Sequence, residues 1–143
     1  MILLTGGAGF IGTNFILDWF ANSDESIVNV DKLTYAGNLD NLKALSQDRR
    51  YIFVNGDIAD RNLIDICLQQ YQPRAIIHFA AESHVDRSIL GPEIFLQTNI
   101  FGTFSLLEAA RDFWGKLLPS KQNDLLRIPI FYFFDLIMQK LKP

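Results

Sequence analysis

The sequence predicts an α/β domain of the doubly wound kind, a parallel sheet with helices on both faces, and three observations carry that expectation. Short apolar runs alternate with segments of helical periodicity. The runs are apolar at consecutive positions, as strands buried on both faces are. The first run ends in a cluster of glycines that opens the first helix. Right-handed crossovers between parallel strands then wind the chain to both sides of the sheet.

Each element has its own warrant. Residues 2–5 (ILLT) form the first strand, stopped by glycine. From Ile11 to Phe20 the chain reads as a helix with Ile11, Phe15 and Trp19 on one face. Residues 26–31 (SIVNVD) and 51–57 (YIFVNGD) read as the second and third strands, each ending in Asp. Asp60 caps a helix over 60–70, in which Leu63, Ile66 and Cys67 fall in register. Residues 75–81 (AIIHFAA) are a fourth buried strand, and 92–114 a long helix with Pro92 near its first turn. On that helix Phe101, Phe104 and Leu107 recur at helical spacing, a stripe expected to face the core.

Composition narrows the function classes. A chain of 143 residues has room for one domain with a real core and little room for a second. Its 13 Lys and Arg are scattered among 16 Asp and Glu, net charge -3, which argues against a nucleic-acid surface. No apolar stretch approaches the ~20 residues that span a bilayer, and "MILLTGGAGFIG" lacks the pattern of a signal peptide. No membrane association is expected. Cys67 is the only cysteine, so no internal disulfide or multi-cysteine metal site is available, and no metal is expected. A reducing cytoplasm fits, and Cys67 itself reads as an inert residue on an apolar helix face.

The chemistry-bearing motif lies in the first turn. "TGGAGFIG" (5–12) sets Gly6, Gly9 and Gly12 at G-x-x-G-x-x-G spacing, directly after a strand and into a helix. A dinucleotide site needs that pattern: a tight turn, close backbone approach to a pyrophosphate, and a helix packed close to the sheet. The helix N-terminus adds unpaired N–H groups and the positive end of its dipole. Asp31 ends the second strand nineteen residues after Gly12, where a carboxylate can accept from ribose hydroxyls. Its charge opposes a 2′-phosphate, which favours NAD over NADP, and Lys32 softens that preference. Asp57 reads either as an adenine-side residue, with Ile58, or as a turn or N-cap residue. His78, inside an apolar strand, reads as a hydrogen-bonded core histidine; His84, beyond it, is open between surface and site roles.

Longer stretches carry a family resemblance. "TGGAGFIG" resembles the fingerprint of the extended short-chain dehydrogenase/reductases, a Rossmann-type family. "VDKLTYAGNLDNL" (30–42) and "HFAAESHVDRSI" (78–89) are similar to the dTDP-glucose 4,6-dehydratases among them, from Met1 to about Lys116. The resemblance implies NAD as cofactor, a nucleotide-sugar substrate (dTDP-glucose) and a family homodimer formed through helices that include 92–114. It implies that Phe10, Ile11 and Gly12 meet the pyrophosphate, and that Asp31, Lys32, Leu33 and Thr34 hold the adenosine end. Asp57 and Ile58 would sit at the adenine. Phe79, Ala80, Ala81, Glu82 and Ser83 would line the nicotinamide side, with Thr98 closing that pocket. Ser83, His84, Asp86 and Asn99 are the candidates on the substrate side. Small residues such as Ala80 and Ala81 also suit tight packing alone.

The resemblance further demands an acid-base carboxylate pair, in an S-T-D-E-V-Y-G stretch after the fifth strand, and a Y-x-x-x-K motif. Neither is found. Tyr35, Tyr51, Tyr71 and Tyr132 are followed four positions on by Leu39, Asn55, Ala75 and Leu136. The fifth strand is due after residues 125–127, yet the chain continues "IPIFYFFDLIMQKLKP", where Pro129 would interrupt a central strand. The expected organisation is therefore an NAD-binding domain over 1–116 and an atypical apolar tail over 117–143, from a frameshift or as a natural short variant packed on the sheet edge. The tail's Phe131, Tyr132, Phe133 and Phe134 would favour aggregation unless buried. Two function classes follow: the cofactor half of a dehydratase, inactive alone, or a non-catalytic NAD-binding fragment. A related UDP-sugar epimerase or reductase is the third reading.

Overall fold

The computed structural model describes residues 1–84, 89–117 and 131–132. Five parallel strands form one sheet: β1 Ile2–Thr5, β2 Ile27–Asp31, β3 Tyr51–Asn55, β4 Ala75–His78 and β5 Phe131–Tyr132. Their spatial order is β3-β2-β1-β4-β5, so the chain moves outward from β1 to one edge and then returns to build the other side. That reversal beside β1 creates a crevice past the carboxyl ends of the strands, where open α/β sheets take ligands. Register aligns those ends, with Thr5 opposite Val30 on one flank and His78 on the other.

Alternation along the strands divides the core in two. Ile2, Leu4, Ile27 and Ala75 pack with Ile16 of helix α1 (Phe10–Asn22) on one face. Leu3, Val30 and Ile76 pack on the other with helix α2 (Arg61–Tyr71). Each such Ile, Leu or Val side chain contributes ~1.5–3 kcal/mol when fully withdrawn from water. Asp60 caps α2 as expected, its carboxylate accepting from the Leu63 N–H at 3.2 Å.

Two expected helix faces are corrected. In α2 the buried residues are Ile64, Cys67 and Leu68, whereas Ile66 is 58% exposed. The face that meets the sheet is rotated by one position from the expected one. The long helix is also interrupted: α3 (Pro92–Phe95) passes into a π-helical stretch (Leu96–Gly102) and then α4 (Thr103–Gly115). The wider turns of the π stretch break the periodicity that connects the two ends. Phe101 and Phe104 are 58% and 60% exposed, so the aromatic stripe is not core; α4 buries Leu106, Ala109 and Ala110 instead. Small alanines let α4 close on α2, and Arg61 ties the pair by reaching Asp112 at 2.7 Å.

Strand lengths matter for the site. The third strand stops at Asn55 and the fourth at His78, so Asp57 and Phe79–Ala81 lie in loops beyond the sheet edge rather than in strands. A 3₁₀ helix (Leu39–Leu45), which periodicity does not reveal, buries Leu42 under α1. Pro129 and most of the tail lie outside the described residues. Phe131 and Tyr132, just beyond it, pair in parallel with Ile77 and His78, the position due for a fifth strand.

Candidate functional site

The glycine turn is built by exclusion of side chains. Gly6 adopts φ +73°, and a Cβ there would lie 2.4 Å from the Ala80 nitrogen, where the turn meets the β4 loop. A Cβ on Gly12 would lie 2.4 Å from the Gly6 oxygen, so α1 seats directly on the turn. Inside the turn every N–H is spoken for. Gly6 donates to Val30 O, Gly7 to Asn29 Oδ1, Ala8 to Asp31 Oδ2 and Gly9 to Gly6 O, at 2.9, 3.0, 2.8 and 3.3 Å. Thr13 donates back to Gly9 O at 2.9 Å. The N–H groups of Phe10, Ile11 and Gly12 have no acceptor among the described residues, and Gly9 at the N-cap supplies no side chain. Three adjacent donors at the positive end of a 13-residue helix are what an anion such as a phosphate requires.

Asp31 stands beside them at the end of β2, 8% exposed. Its oxygens accept from Ala8 N and from Leu33 N, each at 2.8 Å, and Leu33 takes a left-handed φ of 55° to make the second contact. A carboxylate offers about four lone-pair sites, so about two remain for hydroxyl donors. Lys32 is ion-paired with Asp57 at 2.6 Å. Burial pushes the Asp57 carboxyl up, but Lys32 and the Ala59 N–H outweigh it and hold the group below its ordinary value. The Lys32 charge is therefore engaged rather than left to offset Asp31.

An open cleft joins these parts. One wall holds Gly6, Gly9, Asp31, Lys32, Thr34 and, past β3, Asp57 with Ile58. The opposite wall holds Phe79, Ala80, Ala81, Glu82 and Thr98. Phe10, Ile11, Gly12, Leu33 and Ser83 do not line it; the first three directly follow Gly9, which does. Ala36, Gly37 and Gly56 line the cleft and escaped the sequence reading. The loop "TYAG" and the Gly before Asp57 were the available signals, since a backbone that must approach a ligand closely favours small residues.

The β4 loop is braced from the π-helical stretch. Asn99 accepts from the Glu82 N–H at 2.8 Å and donates to the Glu82 carbonyl at 2.9 Å, so its amide is committed to holding the loop. His84 is exposed, its ring edge-on to Tyr35 with ring centroids 6.1 Å apart. Asp86 lies outside the described residues. His78 is buried between Thr5 Oγ1 at 2.6 Å and Thr103 Oγ1 at 3.0 Å, and burial pushes its pKa down to about 4. It is a neutral core histidine linking β1, β4 and α4. Burial likewise raises the Cys67 thiol, which keeps it protonated and unreactive.

Fold and cleft together define a doubly wound α/β domain with an open cleft at the carboxyl edge of its sheet. The chain belongs to the GDP-mannose 4,6 dehydratase family, whose model matches residues 3–122. It is 52% identical over 123 residues to the dTDP-glucose 4,6-dehydratase of Salmonella typhimurium, covering 86% of this chain and 34% of that enzyme. Among solved structures it is similar to DesIV, a dTDP-glucose 4,6-dehydratase from Streptomyces venezuelae solved with NAD bound. There the TM-score is 0.74 and the identity 46%, over 78% of this chain and 36% of that one. A UDP-glucose 4-epimerase from Thermotoga maritima shares the fold at 30% identity and a TM-score of 0.69, over 78% of this chain and 34% of that one. The chain thus spans about a third of the length of the relatives it matches.

Among the described residues no helix is long and apolar enough to cross a membrane.

Proposed function

We propose that this chain binds NAD and forms the cofactor-holding part of a dehydratase that converts dTDP-glucose to dTDP-4-keto-6-deoxyglucose. The observation that carries the reading is the set of three unpaired N–H groups at Phe10, Ile11 and Gly12 beside the half-satisfied carboxylate of Asp31. A pyrophosphate fits the first and a ribose diol the second. Asp57 and Ile58 flank the adenine end of the cleft, and Phe79–Glu82 with Thr98 form the nicotinamide end. Ser83 and His84 stand toward the sugar, Asp86 follows them in sequence, and Asn99 acts by holding the Glu82 backbone. Bound in this cleft, the dinucleotide would take a hydride from the sugar and return it. This chain's own residues orient and enclose the reactants; the Y-x-x-x-K motif and the S-T-D-E-V-Y-G stretch, which the resemblance makes the carriers of proton transfer at the sugar, are not among them.

Residues 1–116 act in this reading as the cofactor domain, with 117–143 a distinct apolar segment. The exposed Ile94, Ile100, Phe101 and Phe104 along the long helix suit contact with a second copy, in keeping with the expected homodimer. A single buried thiol suits the cytoplasm. The dehydratase reading is preferred to the epimerase one because identity to DesIV is 46% and to the epimerase 30%. Calorimetric titration with NAD followed by a dTDP-glucose turnover assay tests the proposal: binding without turnover is expected. Absence of binding would remove it, and turnover above background would contradict the division of labour.

A further inference from the structure

We propose that Asn29 and Tyr51 are positioning residues for the nucleotide turn, holding the Gly7 peptide in the one orientation that leaves the Phe10, Ile11 and Gly12 donors free. Asn29 is fully buried between Val28 and Val30 in the middle of β2, a placement that is costly for an amide unless both of its ends are paired. Both are. Its Oδ1 accepts from the Gly7 N–H at 3.0 Å, and its Nδ2 donates to the Tyr51 phenol oxygen at 2.9 Å.

Asn29 and Asp31 are two residues apart in β2 and so share the sheet face that lies under α1. From there they hold the consecutive N–H groups of Gly7 and Ala8. On the far side of the same residue, Thr13 Oγ1 donates to the Gly7 carbonyl at 3.1 Å. The Gly7 residue is pinned from the strand below and the helix above. No side chain fits between them, since a Cβ on Gly7 would lie 2.3 Å from Asn29 Oδ1.

The Gly7 N–H, a donor only, decides which end of the amide faces the turn, since a flip would set NH₂ against it, donor against donor. Tyr51 completes the arrangement by accepting from the buried Nδ2, which would otherwise be left unpaired, and so holds the amide in place. Burial first, and the nearby Asp31 charge as well, raise the phenol pKa, so the hydroxyl stays neutral. Neither Asn29 nor Tyr51 lines the cleft. Their effect on a bound nucleotide is carried by Gly7, from the first residue of β3 through the middle of β2.

The inference rests on the proposal that the cleft binds NAD, and the test separates the two. Tyr51→Phe, Asn29→Leu and the core control Ile64→Val are compared with wild type by NAD calorimetry and by hydrogen exchange at the Gly7 amide. Tyr51→Phe is expected to weaken NAD binding about fivefold, the effect of one hydrogen bond, and to speed Gly7 exchange relative to neighbouring strand amides. Asn29→Leu is expected to exceed it; if that variant fails to fold, Tyr51→Phe decides. Ile64→Val is expected to lower stability while leaving affinity unchanged. Wild-type affinity and unchanged Gly7 exchange in Tyr51→Phe would overturn the inference. A wild-type chain that did not bind NAD would remove the cofactor proposal, and the exchange comparison would still decide the pinning.

Discussion

Alanine at Gly12 and at Gly9 should both weaken binding, but only at Gly12 should the fold lose stability as well, although both belong to the same motif. At Gly12 the added carbon would sit 2.4 Å from the Gly6 oxygen and 2.6 Å from the Gly7 Cα. Ordinary contact between heavy atoms is ~3.5–4.0 Å. Both obstacles are backbone, so α1 must shift by about 1 Å from the turn, at an overpacking cost of ~1–3 kcal/mol. That shift moves the Phe10, Ile11 and Gly12 donors off a common phosphate, so affinity should fall more than about thirtyfold, equivalent to ~2 kcal/mol. At Gly9 the nearest atom to an added Cβ is the Gly6 oxygen at 3.4 Å, and φ is an unexceptional -74°. Stability should change by about 1 kcal/mol or less. Gly9 lines the cleft, however, and a methyl there occupies the path of the phosphates, so affinity should fall about tenfold. Urea unfolding followed by tryptophan fluorescence and NAD calorimetry read the two quantities separately. Equal stability losses in both variants, or a Gly12→Ala chain with wild-type affinity, would refute the reasoning.

Three further outcomes follow from the same geometry. His78 is held at about 4 against an ordinary 6.5, so between those values the unfolded chain binds more protons than the folded one. Its contribution is full above pH 6.5 and is lost as pH falls toward 4, ~3 kcal/mol in all; urea titrations at several pH values should show this slope, and His78→Gln should flatten it. Asp31→Asn should raise the ratio of NADP to NAD affinity about tenfold by removing the charge that opposes a 2′-phosphate, measured by parallel calorimetry; an unchanged ratio would refute that role. Phe101→Ser with Phe104→Ser should reduce any self-association seen by sedimentation while leaving NAD affinity unchanged, because neither residue lines the cleft.

The parts of this fold legible in sequence are those governed by local rules. Four strands, the Asp60 cap and the glycine turn declare themselves through consecutive apolar residues, an Asx before a helix and glycines at a fixed offset. The helix faces were less legible, because which side packs is decided by the partner. Ala109 and Ala110 face α2 since small residues permit close approach, while the bulkier Phe101 and Phe104, weighted by hydrophobicity alone, point outward. Strand ends were overextended at Asp57 and Ala81, where apolar or small residues continue past the last ladder hydrogen bond.

Within the site, residues that touch a ligand were easier to foresee than residues that hold them in place. Asp31 stands out as a charge at a strand end. Asn29, Tyr51 and Gly7 do not, since their partners lie 22 residues apart or more and meet only once β1, β2 and β3 are assembled. The signal was present in two places, an amide inside "IVNVD" and the doubled glycine in "TGGAG". Buried amides in apolar strands need partners, and a second glycine marks a close approach.

The central claim is that the N-terminus of α1 and the end of β2 form one nucleotide site. An amide-resolved NMR titration of the isotopically labelled chain with NAD tests it most directly. The account predicts saturable shifts, largest at Phe10, Ile11 and Gly12 and at Asp31 to Leu33, with the C-terminal turn of α2 near Tyr71 unchanged. Absence of saturable shifts, or shifts centred on α2 while the Phe10–Gly12 amides stay fixed, would contradict it.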